Sequence, residues 1–116
     1  MKRKLFLVLA LTLGTCWAQE YPTRPIRLIV PYTTGGPTDV LARLLGQRLG
    51  AALGQAVVAE NRGGASGVIG TEIVVKSQPD GYTLLPGTNQ THGVNPSLIR
   101  NMTYDPVKDF TAIAPA

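Results

Sequence analysis

Ile26-Arg27-Leu28-Ile29-Val30-Pro31-Tyr32-Thr33-Thr34-Gly35-Gly36-Pro37-Thr38-Asp39-Val40-Leu41 joins a mostly apolar run, a glycine turn and a helix start. Ile26 to Val30 reads as a buried strand, ended by Pro31, which has no N–H to give to a ladder. Tyr32 to Gly36 is turn chemistry. Pro37 suits the first position of a helix, where its missing N–H costs nothing. Beyond it, Val40, Leu41, Leu44, Leu45, Leu49, Ala52 and Leu53 recur at helical spacing, with Arg43, Gln47 and Arg48 on the other face. Gly54 is a fitting stop.

The same alternation continues outward. Val57 to Ala59 is a short strand closed by Glu60-Asn61-Arg62, and a glycine-rich loop over 63–67 leads into a helix from Val68 to Lys76. Gly67 and Gly70 would let that helix pack closely. Pro79-Asp80-Gly81 is a turn, Tyr82 to Leu85 a third strand, and Gly87 to Thr91 a second polar loop. Asn95-Pro96 reads as an N-cap and first helical position, opening a short helix through Ile99. Tyr104 to Phe110 is a turn or one-turn helix, and Thr111 to Ala114 begins a fourth strand. Strands alternating with helices predict an α/β fold with a parallel sheet, flanking helices and right-handed crossovers. The fourth strand has no helix after it, so the chain reads as the opening of a larger protein.

The 116 residues carry eleven basic and seven acidic side chains, a formal charge of +4. Lys2, Arg3 and Lys4 supply three of the basic groups and precede the apolar run Leu5 to Leu13. With small residues at Cys16 and Ala18, this is the pattern of a secretory signal peptide over residues 1–18. Leu13-Gly14-Thr15-Cys16 also loosely resembles a lipoprotein processing site, although Thr15 before the cysteine fits it poorly. Cleavage after Ala18 leaves eight basic residues against seven acidic, and removes the one Cys and the one Trp. No basic stripe with interleaved aromatics remains, so nucleic acid is not an expected partner.

Two loops are candidates for chemistry. The N–H groups opening a helix have no intrahelical acceptor and carry positive potential, which suits a carboxylate or phosphate. Gly35 and Gly36 would let that backbone approach a ligand, with Thr33, Thr34 and Thr38 adding hydroxyls. A βα turn using glycine only for geometry is the competing reading. If the first strand lies between the second and third, Thr88, Asn89 and Thr91 face this loop across one crevice. The loop over 63–70 lacks G-x-G-x-x-G, the P-loop lysine and G-x-S-x-G, so it reads as structural, and no cofactor is expected. His92 is the sole histidine, which argues against zinc. Asp39 reads as a dipole partner in the first helical turn.

Several stretches are familiar together: Tyr21 to Pro31, Gly35-Gly36-Pro37-Thr38-Asp39, Glu60-Asn61-Arg62, Pro79 to Leu85, Asn95-Pro96-Ser97-Leu98 and Tyr104 to Phe110. In this order, behind a signal peptide, the sequence resembles the Bug family, periplasmic substrate-binding proteins of tripartite tricarboxylate transporters. The resemblance implies a two-lobed periplasmic-binding fold of the type II, Venus-flytrap kind, with a small organic carboxylate held between the lobes. It places Tyr32, Thr33, Thr34, Gly35, Gly36 and Thr38, with Thr88, Asn89 and Thr91, at the ligand, and implies membrane transporter subunits as partners. Thr33-Thr34 departs from the small apolar residues or proline common before the glycines, and Gly64-Ala65-Ser66-Gly67 differs slightly from the usual run. The family is roughly three times as long, so residues 19–116 are expected to be the N-terminal part of the first lobe, with the second lobe absent. Three readings follow: a periplasmic solute receptor or its N-terminal piece, which is no enzyme; a truncated remnant without function; and a fragment of a secreted α/β enzyme.

Overall fold

A computed structural model of the protein describes Ala18 and Glu20–Ala116; the expected leader, Cys16 included, otherwise lies outside the described residues. Strand β1 (Ile26–Val30) leads to helix α1 (Pro37–Leu53), then β2 (Val57–Asn61). A 3-10 turn (Ala65–Gly67) enters α2 (Val68–Val75), and β3 (Thr83–Leu84) follows. A wide helical turn (Gln90–Val94) then runs into α3 (Asn95–Leu98). The sheet order is β2-β1-β3, and both pairings are parallel. Registers run from Ile26 opposite Val57 to Val30 opposite Asn61, and Arg27 and Leu28 lie opposite Thr83 and Leu84.

β1 is central, and this explains its composition. Ile26, Leu28, Ile29 and Val30 are all buried, covered on both faces as a central parallel strand must be. Arg27 is accommodated by a two-pronged pair with Glu60 of β2, at 2.8 and 3.0 Å. α1 begins at Pro37 and ends at Gly54, whose φ of 69° and N–H to Gly50 O make a left-handed cap.

α1 does not meet the sheet with Leu41, Leu44 and Leu45. Its buried residues are Asp39, Ala42 and Gly46, while Val40, Leu41, Leu44 and Leu45 are 41–61% exposed. Small residues let the helix axis come close: a Cβ at Gly46 would lie 3.5 Å from Val57 Cγ1 and 3.7 Å from Leu28 Cδ2. α2 packs still more tightly, as its glycine was expected to allow. A Cβ at Gly70 would stand 2.6 Å from Arg62 O and 2.7 Å from Pro31 Cα.

Four expected elements differ. β2 extends two residues further, to Asn61, and β3 shrinks to Thr83–Leu84. Asn95 caps no helix: its own backbone is helical, and its N–H reaches back five residues to Gln90 O. Its side chain is used elsewhere, donating to Ser66 O at 2.9 Å and accepting from Gln90 Nε2 at 2.7 Å. Thr111–Ala114 forms no strand, because an apolar run becomes one only through a ladder, and this segment pairs with none of the three. The Tyr104–Phe110 segment is a turn, with Asp105 accepting from the N–H groups of Val107 and Lys108.

Candidate functional site

With β1 between β2 and β3, the loops leaving the C-terminal ends of all three strands gather at one edge. The condition placed on strand order above is met. Tyr32, just past β1, and Thr88, just past β3, join their hydroxyls at 2.7 Å. Two hydroxyls carry two protons and share one between them, so the pair keeps a second O–H, which donates outward unless Thr88 turns it to Thr91 Oγ1 at 3.4 Å.

The β1–α1 loop is built for a tight turn. Gly35 has φ +90°, where a side chain would be strained, and nothing lies within 4 Å of a Cβ placed there. Gly36 is extended (φ −77°, ψ 170°), and its Cβ position meets only Thr33 O, at 3.8 Å. Both glycines therefore face open space, with the first-turn N–H groups of Thr38 and Asp39 behind them lacking intrahelical acceptors. Thr33 and Thr34 are exposed, and Tyr32, Gly36 and Thr38 half-buried.

One N–H of this loop is already committed. Gly35 donates to Asp39 Oδ2 at 2.9 Å, while Asp39 Oδ1 accepts from Asn61 Nδ2 at 2.8 Å. Arg43 reaches Asp39 with Nε at 3.1 Å and Asn61 Oδ1 with Nη2 at 2.8 Å. Asn61 Nδ2 also donates to Tyr32 O at 3.1 Å, tying β2 to the loop. Asp39 is buried, and these donors, the Gly35 N–H first, then Asn61 and Arg43, pull its pKa down to about 2. Asp39 is thus more than a dipole partner: it fixes the loop.

The post-β3 loop is held from behind. Thr91 is fully buried, so it supports Thr88 from behind, whereas Asn89 is exposed. Its Oγ1 accepts from Thr88 N–H at 3.0 Å and lies 2.8 Å from His92 Nδ1. A hydroxyl beside an imidazole invites a nucleophile–base reading. The burial of Thr91 keeps its Oγ1 from any substrate. Tyr104 Oη donates to Thr91 O at 2.5 Å, and the Tyr104 ring meets Phe110 edge-on at 6.0 Å. The third loop closes the group: a Cβ at Gly67 would lie 3.0 Å from Thr91 Cγ2 and 3.4 Å from Tyr32 Oη.

Sequence reading brought Tyr32 and Thr88 to one place and left out Asn61, Gly67, His92, Asn95 and Tyr104 as supports. For Asn61 a signal existed, since it ends a parallel strand beside the first. Among the described residues, no group of three His, Cys, Asp or Glu could hold a metal, and no helix is long and apolar enough to cross a membrane.

The profile of the tripartite tricarboxylate transporter family receptor matches residues 41–116. Protein BugT of Bordetella pertussis is 46% identical over 98 residues, covering 84% of this chain and 30% of BugT. A solved periplasmic transporter is 48% identical with a TM-score of 0.74, over 76% of this chain and 30% of the other. MatC from Rhodopseudomonas palustris, solved with bound malate, is 41% identical with a TM-score of 0.76, over 78% of this chain and 31% of MatC. The chain therefore spans about a third of the length of the relatives it matches. Its α/β architecture, a parallel sheet with flanking helices, is periplasmic-binding-protein-like and partial relative to these structures. In sequence and in fold, the chain belongs to the family of tripartite tricarboxylate transporter receptors.

Proposed function

We propose that the protein is a periplasmic solute receptor, or the N-terminal part of one, that binds a small organic carboxylate. It would deliver that ligand to membrane subunits of a tripartite-type transporter and perform no chemistry on it. The observation that carries this reading is the 2.7 Å Tyr32–Thr88 hydroxyl pair, which ties the loops of two adjacent strands beside the open glycine turn of α1. One free O–H, the first-turn N–H groups and the α1 dipole are all positive ends, and a carboxylate is their complement. Residues 33–36, 38 and 89 line the opening, and residues 1–18 act as the cleaved export signal, with lipidation at Cys16 the less favoured route. Residues 19–116 form part of the first lobe in this reading. MatC, with its bound malate, supports the ligand class.

The test is calorimetric titration of the native product with malate, adipate and their neutral diamides. Saturable heat with an acid and none with its diamide is expected. Gly36→Val should abolish that binding while leaving the circular dichroism unchanged, because the Cβ position there is open to the ligand side and clashes with nothing inside. Unchanged affinity in the variant would overturn the loop assignment, and no binding of any dicarboxylate would overturn the function.

A further inference from the structure

His92 stands outside the ligand loops proper, and neither a metal nor a reaction accounts for it. Its ring is nonetheless closely held. It packs against Phe110 with centroids 4.9 Å apart, and a Cβ at Gly87 would lie only 3.0 Å from Cε1 and 3.2 Å from Nδ1. Gly87 has to be small for the imidazole to reach this place. The ring nitrogen it brings there is Nδ1, 2.8 Å from the hydroxyl of buried Thr91.

The distances around Thr91 bear on which atom donates. Thr91 Oγ1 accepts the Thr88 N–H at 3.0 Å. Its own proton has three acceptors in range, His92 Nδ1 at 2.8 Å, Thr88 O at 3.2 Å and Thr88 Oγ1 at 3.4 Å. Thr88 O already receives the His92 N–H at 3.0 Å, whereas Nδ1 has no other donor among the described residues. The shortest of these contacts is to Nδ1, which accepts when the imidazole proton sits on Nε2. Burial lowers the His92 pKa, which favours the neutral ring this pattern requires. The Thr91 N–H donates to Thr88 Oγ1 at 3.3 Å, and Thr88 Oγ1 meets Tyr32 Oη at 2.7 Å.

We propose that His92 is a positioning residue of the ligand site: its Nδ1 draws in the Thr91 hydroxyl proton, orients the Thr88 turn, and so presents the free O–H of the Tyr32–Thr88 pair to a carboxylate. The proposal rests on reading that loop pair as the carboxylate site. A merely structural His92 would act by filling the space between Gly87 and Phe110, and the two roles call for different replacements. His92→Phe keeps a ring against Phe110 but has no acceptor. His92→Asn loses the ring but carries an oxygen near the Nδ1 position.

The tautomer is read first, in the native product without ligand, by long-range proton–nitrogen NMR correlation. The form protonated on Nε2 is expected, and the Nδ1-protonated form overturns the proposal. Malate titrations of the two variants come second. His92→Phe is expected to weaken binding about tenfold, the size of one net hydrogen bond, while His92→Asn stays within about threefold of the unaltered protein. The reverse order, with Phe rescuing and Asn failing, overturns it. Amide exchange at Thr88 separates this proposal from the ligand assignment. Should the unaltered protein bind no malate, His92→Phe is still expected to speed Thr88 exchange about tenfold by loosening the Thr91 hydroxyl, and unchanged exchange overturns the positioning role.

Discussion

Asp39 is 3% exposed, and three donors from three places in the chain converge on its carboxylate: the Gly35 N–H, Asn61 Nδ2 and Arg43 Nε. They favour the charged form, against an opposing desolvation, and hold the pKa at about 2. An unfolded aspartate titrates near ~3.9, so the folded state binds the proton more weakly. The sign follows from that. The carboxylate's contribution to stability is complete above roughly pH 4 and drains away as pH falls toward about 2. Urea midpoints of the unaltered protein and Asp39→Asn should therefore differ at neutral pH, with the variant weaker, and converge as pH falls from about 4 to about 2. A gap that stays constant across that range would show that shape, not charge, makes Asp39 matter. Reading the sequence yields a helix-dipole partner at this position and no more, because Asn61 is 22 residues away and meets Asp39 only once β2 pairs with β1.

Glycines within helices show how close approach and propensity oppose each other at the scale of an element. Gly46 and Gly70 both lie in helices and both face the sheet side. At Gly46 an added Cβ would meet Val57 and Leu28 atoms at 3.5 to 3.7 Å, ordinary contact distances. Helix propensity then decides, and Gly46→Ala is expected to stabilise by up to ~1 kcal/mol. At Gly70 the same methyl would sit 2.6 Å from Arg62 O and 2.7 Å from Pro31 Cα, both backbone atoms that cannot swing away. Overpacking wins there, and Gly70→Ala is expected to destabilise by about 2 kcal/mol or more. Urea unfolding of the two variants checks the opposite signs, and a stabilised Gly70→Ala would refute the close α2–β1 packing. This contrast also marks what the sequence makes legible. The β1 run between prolines, the Pro37 start and the Gly54 stop are local chemistry, and the fold follows them. The face of α1 is not local. Leucine periodicity points to Leu41, Leu44 and Leu45, yet the sheet accepts the small stripe of Asp39, Ala42 and Gly46, because a close helix needs small side chains. The Tyr32–Thr88 meeting depended on strand order, which residue patterns leave open.

Across the whole molecule, apolar surface is distributed as though more protein were needed to cover it. Val40, Leu41, Leu44 and Leu45 form one exposed stripe on α1, at 41–61%, and Leu98, Val107 and Ile113 are 76–81% exposed. Among the described residues the sheet has three strands, one of only two residues, and the largest fully buried side chains are those of Ile26, Ile29, Val30, Thr71, Thr91 and Pro31. Such a sheet sits near the minimum for independent stability. The relatives are about three times as long, and a product of that length has material to bury the α1 stripe. Intact mass of the native product therefore comes before any unfolding curve. A mass about three times that of residues 19–116 is expected to go with a sharp urea transition and little binding of a hydrophobic dye. Residues 19–116 alone are expected to unfold over a broad range and to bind the dye through the α1 stripe, and Leu41→Lys with Leu44→Lys should reduce that binding. A sharp, dye-free transition from residues 19–116 would overturn this view. The small buried set around β1 would then suffice by itself, and the exposed leucines would be tolerated surface.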